Sequence, residues 1–416
     1  MNTEYSDVLA LIKATITGDD VYISEKPKWD DIIKLLEQGR VLTVVYRTAA
    51  AINGEKATPK EYMEKWQAEA FAKGFKQLQA VYELKRVLTE AQNRKLQLIV
   101  FKGITLATLY PEPNMRCTSD ADILVSKIHR EEAEEMLLQL GYTKIDHLSK
   151  QHVPTYVIIK NEIRLVIELH DQLWEDYEGK QAQILASMKL DANEKLIKQY
   201  AEGIEVTTLG YNEHLIYQIF HIAKHFFFEG VPLRYIVDIT LYINKYADKI
   251  DFGKVRREIR KLHYEKLYDT ILKICYEYLG LRQNYINSTF TNEDLSENFI
   301  SDLFEGSRIK GSVNQWETIN FLGTYFMRIS KTKVSTFQQR RKQVFPLPSE
   351  LNSRYIYARK CPLLLPVAWI HKAFYIISYN QHCKKNGIGT TASIAKAKYR
   401  LDLMRELEIT ETDKEN

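Results

Sequence analysis

The spacing of the apolar residues changes near residue 96 and changes back near residue 205. Before residue 96 they recur every three to four positions, as Leu9 and Ile12 do, which is typical of helices. From 96 to 175 they form short runs such as Leu96–Phe101, which are typical of buried strands. Such a chain must combine helix and sheet, so an α+β fold is predicted, with its strands gathered in one small region.

The longest predicted helix begins after Thr58-Pro59 and runs to about Asn93, because proline suits the first turn of a helix. Its large apolar residues recur at helical spacing and are predicted to face the core. They are Phe71, Phe75, Leu78, Tyr82 and Leu88.

Short elements alternate between residues 96 and 175. After Leu96–Phe101, the predicted elements are a helix at Ile104–Leu109, a strand at Asp120–Val125, a helix at Glu131–Leu140 and a hairpin of Tyr156–Ile159 with Ile163–Leu169. Helix is predicted to resume at residue 205, most clearly at Asn212–Phe228 and Leu233–Tyr246. The predicted regions are therefore an N-terminal helical region at 1–95, an α/β domain at 96–175, a helical domain at 205–330 and a basic C-terminal extension at 331–416.

Charge is distributed unevenly along the 416 residues. The net charge is +4, but residues 331–400 hold 14 Lys or Arg and one acid, whereas the first 330 residues sum to −5. The basic segment could bind a polyanion or an anionic lipid surface, or it could lie across the acidic body of its own chain. We favour the last alternative. No membrane partner is therefore predicted, and nucleic acid is an open but less favoured partner.

The cysteines and the first residues bear on the compartment. Four scattered cysteines lack the paired spacing of a zinc site or a disulfide framework. The opening residues are acidic rather than basic before the first apolar run, unlike a secretory signal peptide. A cytoplasmic protein without a transmembrane helix is predicted.

Two aspartates stand two positions apart in the strand predicted at Asp120–Val125. Because side chains alternate along a strand, Asp120 and Asp122 are expected on one face. Two carboxylates so placed repel each other unless a cation neutralises them. Oxygen ligands of this kind suit Mg²⁺ or Mn²⁺.

A third acid interrupts the apolar strand Ile163–Leu169. Alternation puts Glu168 and His170 on one face, and an unpaired buried carboxylate would be costly. Three carboxylates on adjacent strands can hold two metal ions about 3.5–4 Å apart. His170 could orient a metal-bound water, touch a phosphate, or only support its neighbours.

These features together resemble the DNA polymerase β-type nucleotidyltransferase superfamily. More narrowly, the sequence motifs resemble those of a bacterial family called uncharacterised nucleotidyltransferases. The matching motifs are Lys102-Gly103, Arg116, Asp120 with Asp122, Glu168-Leu169-His170, and His221 with His225 followed by Arg234 and Asp238.

The resemblance implies a small polymerase β-like nucleotidyltransferase sheet domain embedded between N-terminal and C-terminal helical regions. It implies transfer of a nucleoside monophosphate from an NTP to an unidentified acceptor, with two Mg²⁺ or Mn²⁺ ions. The implied catalytic and metal-binding residues are Asp120, Asp122 and Glu168. The implied nucleotide-binding residues are Lys102, Gly103, Arg116 and Ser119, and the pocket residues are His170, His221, Lys224, His225, Arg234 and Asp238.

Several roles remain open at this level. The superfamily commonly has Gly-Ser or Gly-Gly where this chain has Lys102-Gly103, so Lys102 could act on the phosphates as a point charge. Arg116 could bind phosphate or pair with either aspartate of the Asp-x-Asp motif. His221 and His225 are favoured as a packed pair, and Asp238 could orient Arg234 or a histidine. The alternative function is a non-catalytic scaffold that binds an anionic partner through residues 331–400.

Overall fold

The structure is a computed structural model. It describes residues 1–118, 120–145, 153–160, 163–174, 180–228, 230–287, 289–290, 292–305, 357–358, 361–371, 374 and 390–409. The chain divides into two compact units, one of Met1–Phe226 with Gly230–Ser307 and one of Phe227–Glu229 with Arg308–Asn416. The site described below is built from residues of the first unit.

Helices flank a central sheet in the first unit. The helices before the sheet are α1 (Thr3–Thr17), α2 (Trp29–Gln38), α3 (Tyr46–Ala50) and α4 (Lys60–Asn93). Among the strands lie α5 (Ile104–Ala107), α6 (Arg130–Gln139) and α7 (Lys180–Met188). After the sheet come α8 (Tyr211–Phe228), α9 (Arg234–Tyr246), α10 (Phe252–Lys261), α11 (Glu265–Tyr278) and α12 (Glu293–Glu305). The predicted α+β fold class is confirmed.

The described residues form one seven-stranded sheet with the order β3-β4-β5-β2-β1-β7-β6. Its strands are β1 (Ile99–Val100), β2 (Ala121–Leu124), β3 (Thr143–Lys144), β4 (Thr155–Lys160), β5 (Ile163–His170), β6 (Leu196–Ala201) and β7 (Ile204–Leu209). The pairs β2–β5 and β1–β7 are parallel, and the other neighbours are antiparallel. The predicted hairpin is confirmed as β4 and β5.

One face of the sheet packs against α4 and α6. Ile123 of β2 and Ile167 of β5 are fully buried there, in one cluster with Val87 of α4 and Met136 of α6. Since side chains alternate along a strand, the neighbouring residues of β2 and β5 point to the opposite face. The apolar side therefore holds the strands in place and leaves the other side for polar groups.

The predicted burial of the large apolar residues on α4 is wrong for four of the five. Leu88 is buried, but Phe71, Phe75, Leu78 and Tyr82 expose 48%, 62%, 48% and 67% of their surface. The buried face of the helix carries small residues at Ala70 and Gly74 instead.

The small residues of α4 explain which face is buried. A Cβ placed on Gly74 would lie 3.1 Å from Nδ2 of Asn114 and 3.4 Å from the Met115 side chain. Gly74 thus lets the 3-10 turn at Pro113–Met115 approach the helix closely, and the large apolar residues remain on the outer face.

The prediction that helix resumes at residue 205 is also wrong at its start. Residues 204–209 form β7, which pairs with β6 across Glu202 and Gly203. Both turn residues have positive φ, 52° and 75°, as in the two-residue turns that match the twist of a hairpin. Helix begins only with α8 at Tyr211.

The described part of the second unit includes a 3-10 turn at Pro362–Leu364 and helix α13 (Thr390–Glu406). Most of the basic segment 331–400 lies outside the described residues, so its predicted roles stay predictions. Among the helices that the structure describes, none is long and apolar enough to cross a membrane.

Candidate functional site

The parallel register of β2 and β5 brings the acids together. Asp122 is the register partner of Glu168, and Leu124 is the partner of His170. Because Glu168 and His170 stand two positions apart on one strand, their side chains leave the same face of the sheet. Two strands thus deliver a carboxylate pair and an imidazole to one place.

Asp122 is the centre of this cluster. Its Oδ1 lies 2.9 Å from Lys102 Nζ and 3.2 Å from His170 Nε2. His170 Nε2 lies 3.6 Å from Oε2 of Glu168. One ligand atom from each of Asp122, Glu168 and His170 lies within 4.8 Å of the others. This spacing and the mixture of carboxylate oxygen with imidazole nitrogen fit a divalent metal ion.

The surroundings of Asp120 and Asp122 shift their pKa values in opposite directions. Burial alone would raise the pKa of Asp122, but the charge of Lys102 and the hydrogen bond from His170 outweigh it and hold that pKa well below its usual range. Asp120 differs, because burial and the charges of Asp122 and Glu168 raise its pKa to about 6. Asp120 therefore sits in negative potential that a bound cation would relieve.

Asp120 lies one residue before β2 and is half-buried. Within the part of the chain that the structure describes, its carboxylate makes no hydrogen bond or ion pair, and it does not belong to the group formed by Asp122, Glu168 and His170. Ser119 lies outside the described residues.

The surroundings of Lys102 and His170 favour the protonated, positively charged form of each side chain. Burial would lower the pKa of each, but the Asp122 carboxylate outweighs this effect and raises both pKa values. Lys102 Nζ also lies 5.4 Å from the ring of Phe101 and 5.9 Å from that of Tyr217. The lysine is thus held between aromatic rings with its ammonium on Asp122.

Gly103 turns the chain between β1 and α5. Its φ of +65° is a conformation that residues with side chains rarely adopt, and a Cβ here would lie 3.8 Å from the Asp120 carbonyl oxygen. The predicted glycine turn therefore passes beside the aspartates. The helix after it has only four residues.

Arg116 is bound to Asp238 of α9 rather than to either aspartate of the Asp-x-Asp motif. Its Nε and Nη2 donate to the two carboxylate oxygens at 2.7 and 2.6 Å, and its Nη1 donates to the Gly103 carbonyl at 3.2 Å. The Tyr110 hydroxyl donates to Asp238 at 2.7 Å. Asp238 therefore orients Arg116, not Arg234 or a histidine, and the network ties α9 to the glycine turn.

Asp238→Asn should lower the free energy of unfolding by about 3–5 kcal/mol, since it leaves a buried arginine without its counter-charge. Asp248→Asn is the matched control, because Asp248 is exposed just beyond the same helix, and a change within about 0.5 kcal/mol is expected there. Urea unfolding followed by fluorescence measures both. Equal midpoints and slopes for Asp238→Asn and wild type would show that the ion pair contributes nothing.

Arg234 is a second buried cation. Its Nη1 donates to the Cys117 carbonyl, while its Nε is buried without a hydrogen-bond partner. Among the described residues, no carboxylate lies within ion-pair distance of its guanidinium. Burial and the charge of Arg116 lower the pKa of Arg234. A desolvated cation of this kind would gain from an anionic ligand.

His221 and His225 share one face of α8, as their spacing predicts, with ring centroids 4.3 Å apart. The Tyr235 hydroxyl lies 3.4 Å from His225 Nε2. Burial and the nearby charge of Lys102 hold the pKa of His221 well below its usual range. His221 is thus a neutral group whose Nδ1 is buried without a hydrogen-bond partner. Lys224 is half-buried on the same helix.

Sequence reasoning missed three aromatic residues around these groups. Tyr110, Tyr217 and Tyr235 contact Asp238, Lys102 and His225 respectively. Tyrosine is common in this chain, with 26 copies, so no local pattern distinguishes these three from the others. Only the packing of α8 and α9 identifies them.

Comparison with known proteins gives one result. A family model described as uncharacterised nucleotidyltransferase matches residues 25–280, which is more than half of the chain. No curated protein and no solved structure matches. The matched region covers the sheet, the Asp122 cluster, α8 and α9.

Proposed function

This chain belongs to the uncharacterised nucleotidyltransferase family, and on that basis we propose that it moves a nucleoside monophosphate from an NTP to an acceptor hydroxyl or phosphate. We also propose that its sheet is the catalytic sheet of a polymerase β-like domain. The observation that supports both is the pairing of Asp122 with Glu168 on parallel strands, beside the Gly103 turn and Asp120.

Asp122, Glu168 and His170 would hold a divalent ion, Mg²⁺ or Mn²⁺, and Asp120 with Asp122 would hold a second. Such ions neutralise charge on the phosphates and on the attacking and leaving oxygens. The raised pKa of Asp120 supports its place here, because burial and the charges of Asp122 and Glu168 together disfavour its ionised form, which a bound cation would stabilise. Asp120, Asp122 and Glu168 thus supply carboxylate oxygens at a place where a cation would reduce the repulsion between them.

Glu168 is proposed to act on the acceptor. Its side chain is 37% exposed, whereas that of Asp122 is 10% exposed, so an incoming hydroxyl can reach it. Glu168 would take the acceptor proton as the acceptor oxygen bonds to the α-phosphorus and the bond to the β-phosphate oxygen breaks, releasing pyrophosphate. The positions of the two acids thus support different roles.

Lys102 and Arg234 are proposed to bind the phosphates. Lys102 is paired with Asp122, and a metal ion on that carboxylate would free its ammonium for a phosphate oxygen. Arg234 has a buried Nε without a partner, and its charge reaches Asp120. Arg116 has a different role, since Asp238 and Gly103 occupy its guanidinium. We propose that it shapes the nucleotide turn.

An NTP with Mg²⁺ or Mn²⁺ should raise the melting temperature of the full chain. A ligand at about 100 times its Kd adds about 2.7 kcal/mol to the folded state, so a rise of a few degrees is expected. ATP, GTP, CTP and UTP are tested separately with each metal by scanning calorimetry, and the one with the largest shift identifies the base.

Arg234→Gln should abolish the NTP-dependent part of this shift, whereas the exposed Arg257→Gln should keep it. If none of the four NTPs changes the wild-type melting temperature with either metal, the chain does not bind NTPs and the proposed function is wrong.

A further inference from the structure

Helix α4 carries a large apolar surface that the proposed function does not use. Phe71, Phe75, Leu78 and Tyr82, here called the α4 stripe, follow one another at spacings of four, three and four residues. These spacings place all four side chains on one side of the helix. About half or more of each side chain is open to solvent.

The area of the α4 stripe is that of an interaction site. Large apolar side chains bury about 150–250 Å² each, so the exposed fractions correspond to about 450 Å² in total. A contiguous apolar patch of about 300–600 Å² is the largest on a typical monomer and often binds a partner. Two such patches, with the polar residues around them, approach the roughly 1,200 Å² at the lower end of stable protein interfaces.

The residues around the stripe are arranged symmetrically about Phe75. Glu64 stands eleven positions before Phe75 and Arg86 stands eleven after it, and eleven residues make about three helical turns. Both charged residues therefore lie on the same side of α4 as the stripe. An antiparallel second copy of α4 centred on Phe75 would place each Glu64 opposite the other copy's Arg86.

Small and large residues show the same symmetry. Ala68 and Tyr82 stand seven positions before and after Phe75, and Ala72 and Leu78 stand three before and after. Both alanines are exposed. In the antiparallel arrangement Tyr82 would meet Ala68 and Leu78 would meet Ala72, so that large side chains on one copy fit beside small ones on the other. At the centre Phe75 would meet its own copy.

The two charged residues that flank the stripe, Glu64 and Arg86, are both accessible to a second copy of the chain. The Glu64 side chain is 66% exposed, with Lys60 Nζ 3.8 Å away. Arg86 donates from Nε to the buried Glu83 and from Nη2 to the Leu140 carbonyl, and its side chain is 36% exposed. Exposed pairs of this kind contribute little affinity but define direction.

We propose that the α4 stripe is the interface of a homodimer in which two α4 helices pack antiparallel about Phe75. The area of the stripe, its charge complementarity and the opposition of small to large side chains all identify a second copy of this chain as the occupant. Because the stripe lies on the face of α4 opposite the one that contacts the sheet, the interface leaves the Asp122 cluster unchanged.

Sedimentation velocity of the full chain over a dilution series tests the interface. We expect a dimer that dissociates on dilution. Phe75→Glu, which sets two carboxylates against each other at the symmetry axis, should raise the dissociation constant at least about 100-fold. Tyr200→Glu is the matched control, because Tyr200 is 75% exposed on β6, and it should dissociate as the wild type does.

A charge exchange tests the antiparallel register. Glu64→Arg and Arg86→Glu should each weaken the dimer by about 3- to 10-fold, and the double variant should restore it to within about 2-fold. Melting temperatures are recorded alongside, because Arg86→Glu also removes the bond to Glu83. A wild-type chain that stays monomeric at the highest attainable concentration, or a dimer that Phe75→Glu leaves intact, would overturn the proposal. Failure of the double variant to recover would overturn the register.

Discussion

Asp122→Asn and Asp120→Asn should both abolish pyrophosphate release from an NTP, but they should change the stability of the metal-free protein in opposite directions. Asp122 neutralises Lys102, so its loss leaves a buried ammonium unpaired and should lower the free energy of unfolding by about 3 kcal/mol. Asp120 is buried and is repelled by Asp122 and Glu168, so its neutralisation should raise that free energy by on the order of 1–3 kcal/mol.

The gain from Asp120→Asn should depend on pH with a definite sign. The folded protein raises the pKa of Asp120 to about 6, above its unfolded value, so the ionised carboxylate destabilises the fold as pH rises from about 4 through 6. The variant should therefore match wild type near pH 4 and exceed it at pH 7. Urea unfolding at the two pH values, without metal, measures the difference. Wild-type turnover in either variant would remove that aspartate from the catalytic assignment.

Glu168→Gln should lower kcat by about 10²- to 10⁴-fold while changing the KM for the NTP little, since a proton acceptor acts on the chemical step. The shape of the side chain is kept, so a loss would report its charge. Glu205→Gln is the matched control, because Glu205 is an acid on β7 that pairs with Lys198 away from the cluster.

The measurement is pyrophosphate release with the NTP that gives the largest thermal shift and the acceptor that supports wild-type turnover. Unchanged kcat with weakened NTP binding would place Glu168 among the nucleotide ligands instead.

Elements set by local pattern could be predicted from the sequence. Helices α4, α8 and α9 follow from apolar spacing and from proline or glycine near their ends. The β4–β5 hairpin follows from two apolar runs on either side of Lys160-Asn161-Glu162. The orientation of α4 could not, because two small residues decided which face packs, and hydrophobicity alone favoured the aromatic face. Strand β7 was missed because its two threonines and one glutamate dilute its apolar alternation.

The site could be predicted only in part. Alternation along strands put Asp120 with Asp122 on one face and Glu168 with His170 on another, yet the distances between the two pairs depend on the β2–β5 register. The partner of Arg116 could not be predicted from the sequence. Asp238 is 122 residues away and contacts Arg116 only because α9 packs beside the glycine turn. The contact of the Lys102 ammonium with Asp122 depends in turn on the pairing of β1 with β2.

The position of β1 in the sheet has a consequence for synthesis on the ribosome. This strand pairs on one side with β2, which follows closely in sequence, and on the other with β7 through Ile99 and Thr207. Roughly 100 residues separate β1 from β7 in sequence. At a synthesis rate of about 5–20 residues per second, β7 is therefore completed about 5–20 seconds after β1, and until then one edge of β1 is unpaired. During that interval the nascent sheet presents an open apolar edge, and pulse-labelled chains arrested before residue 204 should bind chaperones more strongly than chains arrested after residue 230.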